Sequence, residues 1–208
     1  MSIRINGVDR NSTINELSEV AHGTYHLADN PNLYEIQRTN SFEFEVPDLN
    51  GILRAGMIGN EENAFIDNAS EVLRMSVSQC PIPHFTQNTV EVRRGNNVIK
   101  YAGTPSFGAG TLTLNDYIGA DTKSVLMAWQ NLSYNVRTEK VGIQSDYKKE
   151  CFLVEYTPDW QEVRRWRLIG CWVSGISEDN YSSDDDGKHN ISATIEYDKA
   201  MIDTSSII

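Results

Sequence analysis

Hydrophobic residues in this chain recur with a period of two, and that periodicity constrains its fold more than any other feature. Phe42, Phe44 and Val46 alternate with Glu43 and Glu45. Leu73, Met75 and Val77 alternate with Arg74, Ser76 and Ser78. Val90 and Val92 flank Glu91, and Leu112 and Leu114 alternate with Thr111 and Thr113. Phe152, Val154 and Tyr156 alternate with Leu153 and Glu155, and Trp166 and Leu168 with Arg165 and Arg167. Ile191, Ala193, Ile195 and Tyr197 alternate with Ser192, Thr194 and Glu196. Successive side chains of a strand point to opposite faces, so each run reads as a strand with one core face and one wet face. Separated by Pro, Gly, Asn and Asp clusters, these runs predict an antiparallel β sandwich or barrel.

One segment has a helical period instead. Val125, Leu126, Trp129 and Leu132 share a face behind Asp121, a candidate N-cap, which predicts a single flanking helix near Thr122–Tyr134. Residues 1–30 are polar, with one short helical pattern. Thr13 and Glu16 fit a capping box, Ile14, Leu17 and Val20 share a face, and Gly23 ends it. We read this as an N-terminal arm beside a single β domain, residues 31–208. Residues 47–70 (Pro47, Gly51, Gly56, Gly59) form an irregular insertion, with room for a short helix near Ala64–Ala69. Residues 80–110 are rich in Pro, Gly and Asn, and long irregular stretches in compact domains are usually functional.

Charge narrows the partners. The 208 residues carry 18 Lys and Arg against 29 Asp and Glu, a net −11, and both halves share the deficit. Gripping nucleic acid or anionic lipid is a Lys/Arg effect, so neither is expected as a bound partner. No segment approaches the ~18–20 apolar residues of a membrane span, and Met1–Val8 lacks the apolar core of a signal peptide, so synthesis in a reducing cytoplasm is expected. Cys80, Cys151 and Cys171 are odd in number and far apart, unlike a disulfide framework.

No motif points to catalysis, a cofactor or a metal. His22 and His26 are four apart, but Gly23 breaks the helix that would align them. Asp184, Asp185, Asp186 and Gly187 resemble part of a calcium loop. Its first and twelfth positions would be Ser182 and Ala193, not acids, so a solvated turn between strands fits better. Arg164–Arg167 mixes basic residues with Trp166, but Glu155 and Glu162 are at hand as partners. Gly103, Gly108 and Gly110 precede no Gly-Lys-Ser/Thr, and no Gly-x-Ser-x-Gly occurs. Cys151 and Cys171 sit at apolar strand positions, where an inert buried thiol is the default.

The order of elements is specific enough to compare. Asn32-Leu33-Tyr34-Glu35-Ile36 opens the first strand, and the helix reaches Trp129-Gln130. Then follow Asp146-Tyr147-Lys148-Lys149, a strand, Tyr156-Thr157-Pro158-Asp159, Leu168-Ile169-Gly170-Cys171-Trp172, and a last strand ending Glu196-Tyr197-Asp198. This order over about residues 31–200 resembles the tail tube proteins of contractile-tailed bacteriophages, relatives of the tube proteins of contractile injection and type VI secretion systems. The resemblance implies a β barrel or sandwich flanked by a helix, whose subunits complete one another's sheets. It implies six-fold rings stacked into a hollow, non-catalytic conduit inside a sheath, with baseplate and tape-measure proteins as partners. It places the protein in a virion tail, made in the host cytoplasm, with DNA as cargo rather than ligand.

On that reading Pro81–Gly110 is where a loop would reach a neighbouring ring, with Phe85, Val90, Val92, Val98, Ile99 and Tyr101 as apolar contacts. The alternative is an ordinary pair of core strands. Glu43, Glu45, Glu91 and Glu196 are candidate acids facing the bore, against a solvated outer face. A bacteriocin or type VI-like device would use the same subunit. From a different class, a monomeric β-sandwich binding module would expose Trp160, Trp166 or Trp172 as a stacking surface.

Overall fold

Alternation becomes sheet where it is most regular. Ile191, Ala193 and Ile195 are buried, and they lie beside buried Leu112 and Leu114 of the neighbouring strand. The computed structural model describes residues 4–5, 8–9, 36–50, 68–119, 121–183 and 186–203. The chain divides into two compact units, Met1–Asn40 and Ser41–Ile208. In the first, β1 (Arg4–Ile5) and β2 (Val8–Asp9) pair antiparallel.

The second unit begins with β3 (Phe42–Glu45), α1 (Ala69–Ser76), β4 (Val77–Gln79), β5 (Phe85–Arg94), β6 (Asn97–Phe107) and β7 (Gly110–Asn115). After α2 (Thr122–Ser133) come β8 (Tyr134–Asn135), β9 (Lys140–Val141) and α3 (Gln144–Tyr147). The chain continues through β10 (Lys149–Tyr156), β11 (Glu162–Glu178), β12 (Asn190–Glu196) and β13 (Lys199–Ile202). Its main sheet runs β3–β10–β11–β12–β7–β4, with β13 also on β11, and every pairing is antiparallel. It curls into a half-barrel. Fold class is thus mainly β, antiparallel and flanked by helix, as the periodicity predicts.

One strand makes the curl. At 17 residues β11 is long enough to serve both halves of the sheet, and it bends where its register shifts. Lys149 faces Cys171 and Cys151 faces Leu168, so β11 has an extra residue at Ile169–Gly170. A second extra residue falls at Ser174, between Val173 and Gly175. Bulges of this kind raise the local twist and bend a sheet. Gly170 is required at the first, because its φ is +71° and a Cβ there would collide with the Asp198 carboxylate.

α2 forms where its spacing predicts. The Asp121 side chain accepts a hydrogen bond from Ser124 N at 3.2 Å, which satisfies one orphan donor of the first turn. Val125, Leu126 and Trp129 are buried against the sheet, each such side chain worth about 1.5–3 kcal/mol of removed apolar area. Trp129 Nε1 donates to the Tyr147 carbonyl at 3.1 Å, and Gln130 Nε2 donates to the Ser174 carbonyl at the second bulge. Lys123 pairs with Glu178 at 2.7 Å and pins the other end of the helix.

Three local expectations are corrected. Leu73–Ser76 is not strand: it belongs to α1, and only Val77–Gln79 is extended. Ala69, Leu73 and Ser76 are buried at steps of four and three, a helical stripe that overrides the shorter alternation. Ser76 Oγ and Thr122 Oγ1, both buried and 2.9 Å apart, join the end of α1 to the start of α2. Residues 85–107 are not irregular but two long strands, reversed at Gly95–Asn96. In β10 the core takes Cys151 and Leu153, while Phe152, Val154 and Tyr156 lie on the opposite face. The arm's helical pattern and most of the insertion, residues 51–67, lie outside the described residues, as does the first-strand motif at 32–35.

Candidate assembly surface

The β5–β6 hairpin stands apart from the rest of the sheet. Its strands pair with each other and, among the described residues, with no other strand. Val90 lies opposite Tyr101 and Val92 opposite Ile99, so these four side chains share one face. Val90 is 51% exposed and Tyr101 48%, Val92 is exposed too, and Ile99 is half-buried. The reverse face carries Glu91, Arg93, Val98 and Lys100, with Glu91 and Lys100 paired at 3.4 Å. Phe85, at the root, is exposed but touches Phe107, their rings 5.7 Å apart, and Phe107 in turn meets Tyr197. A two-stranded ribbon is marginal in water alone, and this one displays an apolar row that no described core residue covers. The sequence-selected residues are therefore brought together on one hairpin, with Val98 on the other face and Phe85 anchoring the base.

The acidic candidates do not form one array. Tyr156 Oη donates to Glu43 at 2.8 Å, and Arg74 approaches the same carboxylate. Arg165 bridges Glu45 and Glu162, both at 3.1 Å, and its guanidinium also sits 5.4 Å from the Phe152 ring centre. Arg167 pairs with Glu150. This ion-pair lattice roofs Val154, which is fully buried although it lies outside the main core. Burial, then the Glu43 bond, pushes the Tyr156 phenol up to about 12. Glu196 stands at the end of β12 opposite Trp172. Arg164 and Trp166 both bond Glu155, so the basic-aromatic run is consumed in pairing.

Of the tryptophans outside the core, Trp160 is 67% exposed, at the β10–β11 turn. Trp166 and Trp172 are part-buried, the latter edge-on to Tyr147 at 5.6 Å. Cys151 and Cys171 are buried, as the strand pattern predicts, and burial pushes the Cys151 thiol well up. His22, His26, Asp184 and Asp185 lie outside the described residues. Among the described residues no group of His, Cys, Asp and Glu is placed to hold a metal, and no helix is long and apolar enough to cross a membrane.

Sequence reading missed one surface. Gln79, Thr113, Ser192 and Ser177 form a row across β4, β7, β12 and β11, and Thr111 and Thr194 extend the same face with Gly175. The signal was visible as Thr and Ser at the wet positions of two alternating runs, but only the register shows that they adjoin.

No family model and no curated protein matches the sequence. Solved structures do. A chain of the sheath–tube complex of an extracellular contractile injection system (PVC), in its extended state, is 14% identical with a TM-score of 0.58, covering 88% of this chain and 99% of that one. A chain from the sheath/tube terminator of the same kind of particle is 16% identical at 0.56, covering 82% and 98%. One from the tube-terminating cap of the anti-feeding prophage is 14% identical at 0.52, covering 81% and 91%. Nearly the whole of each of these chains is matched, and the fold of this protein is that of contractile-injection-system tube proteins.

Proposed function

We propose that this chain is a non-catalytic tube subunit, forming six-fold rings that stack into a hollow conduit within a contractile sheath. The single observation that carries the reading is the β5–β6 hairpin. It displays Val90, Val92, Ile99 and Tyr101 to solvent, in a domain whose fold is that of tube proteins. Ring contacts are heterologous and close by rotation, whereas stacking contacts do not close and so build a filament. The hairpin supplies the stacking contact. Baseplate and tape-measure proteins are the further partners, and the particle is a phage tail with DNA as its cargo. An acidic chain has little with which to hold phosphate, so DNA slides rather than binds. A bacteriocin or injection device would use the subunit in the same way.

Val92→Asp tests this. It places a charge in the apolar row without touching the core, so melting temperature is unchanged while sedimentation shows loss of stacked assemblies. Stacks of undiminished length would remove the hairpin from the contact.

Exposure of Trp160 favours a second reading, a monomeric binding module. Titration with oligosaccharides that shifts tryptophan emission, in a protein monomeric at all concentrations, would support it instead.

A further inference from the structure

We infer that His189 is a pH-operated clasp. With both ring nitrogens protonated it ties the β7–α2 connection to the β11–β12 connection, and on losing one proton it releases one of them. The clasp lies within a single chain and does not depend on the tube reading above.

The contacts of the ring call for two donors. Nδ1 lies 3.2 Å from the Asp116 carboxylate, and Nε2 lies 3.3 Å from the Asp179 carbonyl. An ionised carboxylate and a carbonyl only accept, whereas a neutral imidazole has one N–H and one bare nitrogen. The neutral ring therefore satisfies one contact and sets lone pair against lone pair at the other. The imidazolium donates to both, and hydrogen bonds from a charged donor are the stronger kind. His84, by contrast, brings one ring nitrogen to a carbonyl, that of Ile82 at 3.3 Å, which a neutral ring serves in full.

The surroundings favour the second proton. Tyr181 stacks on the ring, centroids 4.7 Å apart and planes 11° from parallel, and an aromatic face attracts a cation. The Asp179 carboxylate already accepts from Asn190 N and Nδ2, at 3.3 and 3.2 Å. Beside it the buried Asn190 Oδ1 has no donor among the described residues, so acceptors are in surplus here. The other charged groups are Glu178 and its partner Lys123, 2.7 Å apart, with Lys123 also near Asp116 and Tyr181. On the ring's own segment Lys188 donates to Asn115 at 3.1 Å, and exposed Asp186 stands in the same turn. Carboxylates outnumber ammonium groups, so a positive ring offsets the balance.

Backbone bonds bring the three segments together. Asp116 N donates to the His189 carbonyl at 3.2 Å, and Asp179 N to the Asn190 carbonyl at 3.3 Å. At this end of the sheet Asn190 faces Asn115, whereas Ile195 faces Gly110 near the root of the β5–β6 hairpin. Tyr117, Ile118 and Tyr181 are exposed around the ring, so the clasp sets the spacing of an apolar end face. Histidine ordinarily changes charge between about pH 5 and about pH 8, so acid closes the clasp and alkali opens it.

Amide hydrogen exchange on the full-length chain, corrected for the intrinsic pH dependence of exchange, tests this. From about pH 8 down to about pH 5.5, protection of the Asp116 and Asp179 amides rises about threefold or more relative to amides of β10. Asp116→Asn removes the charge and shrinks the gain. His189→Gln carries an amide donor that does not titrate, so there the gain disappears. Equal protection at both pH values in wild type, or an equal rise in His189→Gln, overturns the clasp. Nitrogen-15 spectra of histidine-labelled wild type need no substitution, the His189 ring being identified by its proximity to Tyr181. Over the same range that ring passes from one protonated nitrogen to two. A ring that stays neutral, or stays charged, across it overturns the proposal.

Discussion

Gly170 carries more of the architecture than its size suggests. Its positive φ and its closeness to Asp198 place the bend that lets β11 serve both halves of the sheet. Lys148 pairs with Asp198 at 2.7 Å, and Asp198 N donates to the Ile169 carbonyl, so the bend is tied from two directions. Gly170→Ala should lower unfolding free energy in urea by roughly 1–3 kcal/mol, through backbone strain and the displaced carboxylate. An unchanged midpoint would mean the bend is set elsewhere. The sequence shows the alternation on both sides of Gly170 but not the extra residue, because a bulge is a property of two strands in register. Tyr156 gives a pH signature. Its phenol moves from 10.0 to about 12 on folding, so the unfolded chain releases that proton first. Stability from this group is therefore complete below pH 10 and is lost as pH rises towards 12. Tyr156→Phe should flatten that part of the stability curve relative to wild type.

At the level of elements, α2 and β12 were legible and α1 was not. Asp121, Val125, Leu126 and Trp129 satisfy a cap and a helical stripe together, so two signals agree. Leu73, Met75 and Val77 satisfy a strand pattern over a run too short to exclude a helix. Tertiary contact decided: Ala69 and Leu73 fill the core beside Phe44. Leu73→Ala should cost about 2–5 kcal/mol, measured by urea unfolding, as expected of a fully enclosed leucine. A loss under ~1 kcal/mol would fit an exposed strand position instead. The faces of β10 are ambiguous in the sequence for a related reason. Phe152, Val154 and Tyr156 are apolar enough for a core, but an ion-pair lattice covers them, and no single strand announces its roof. Val90, Val92, Ile99 and Tyr101 share one face of the hairpin because paired strands set alternate positions side by side.

Over the whole molecule, the period of two predicts the fold class, and the deficit of basic residues excludes classes of partner. Neither reveals how charge is distributed. Much of the acid on the outward sheet is already paired, and the four-strand half beside it bears none in its two rows. That asymmetry and the lone hairpin both point outward, to other copies of the chain. Electron microscopy of the purified full-length protein at rising concentration is the most direct test of its role as a tube subunit. Six-fold rings with an open centre that stack into tubes are the expected result. A featureless monomer at every concentration and salt would contradict it.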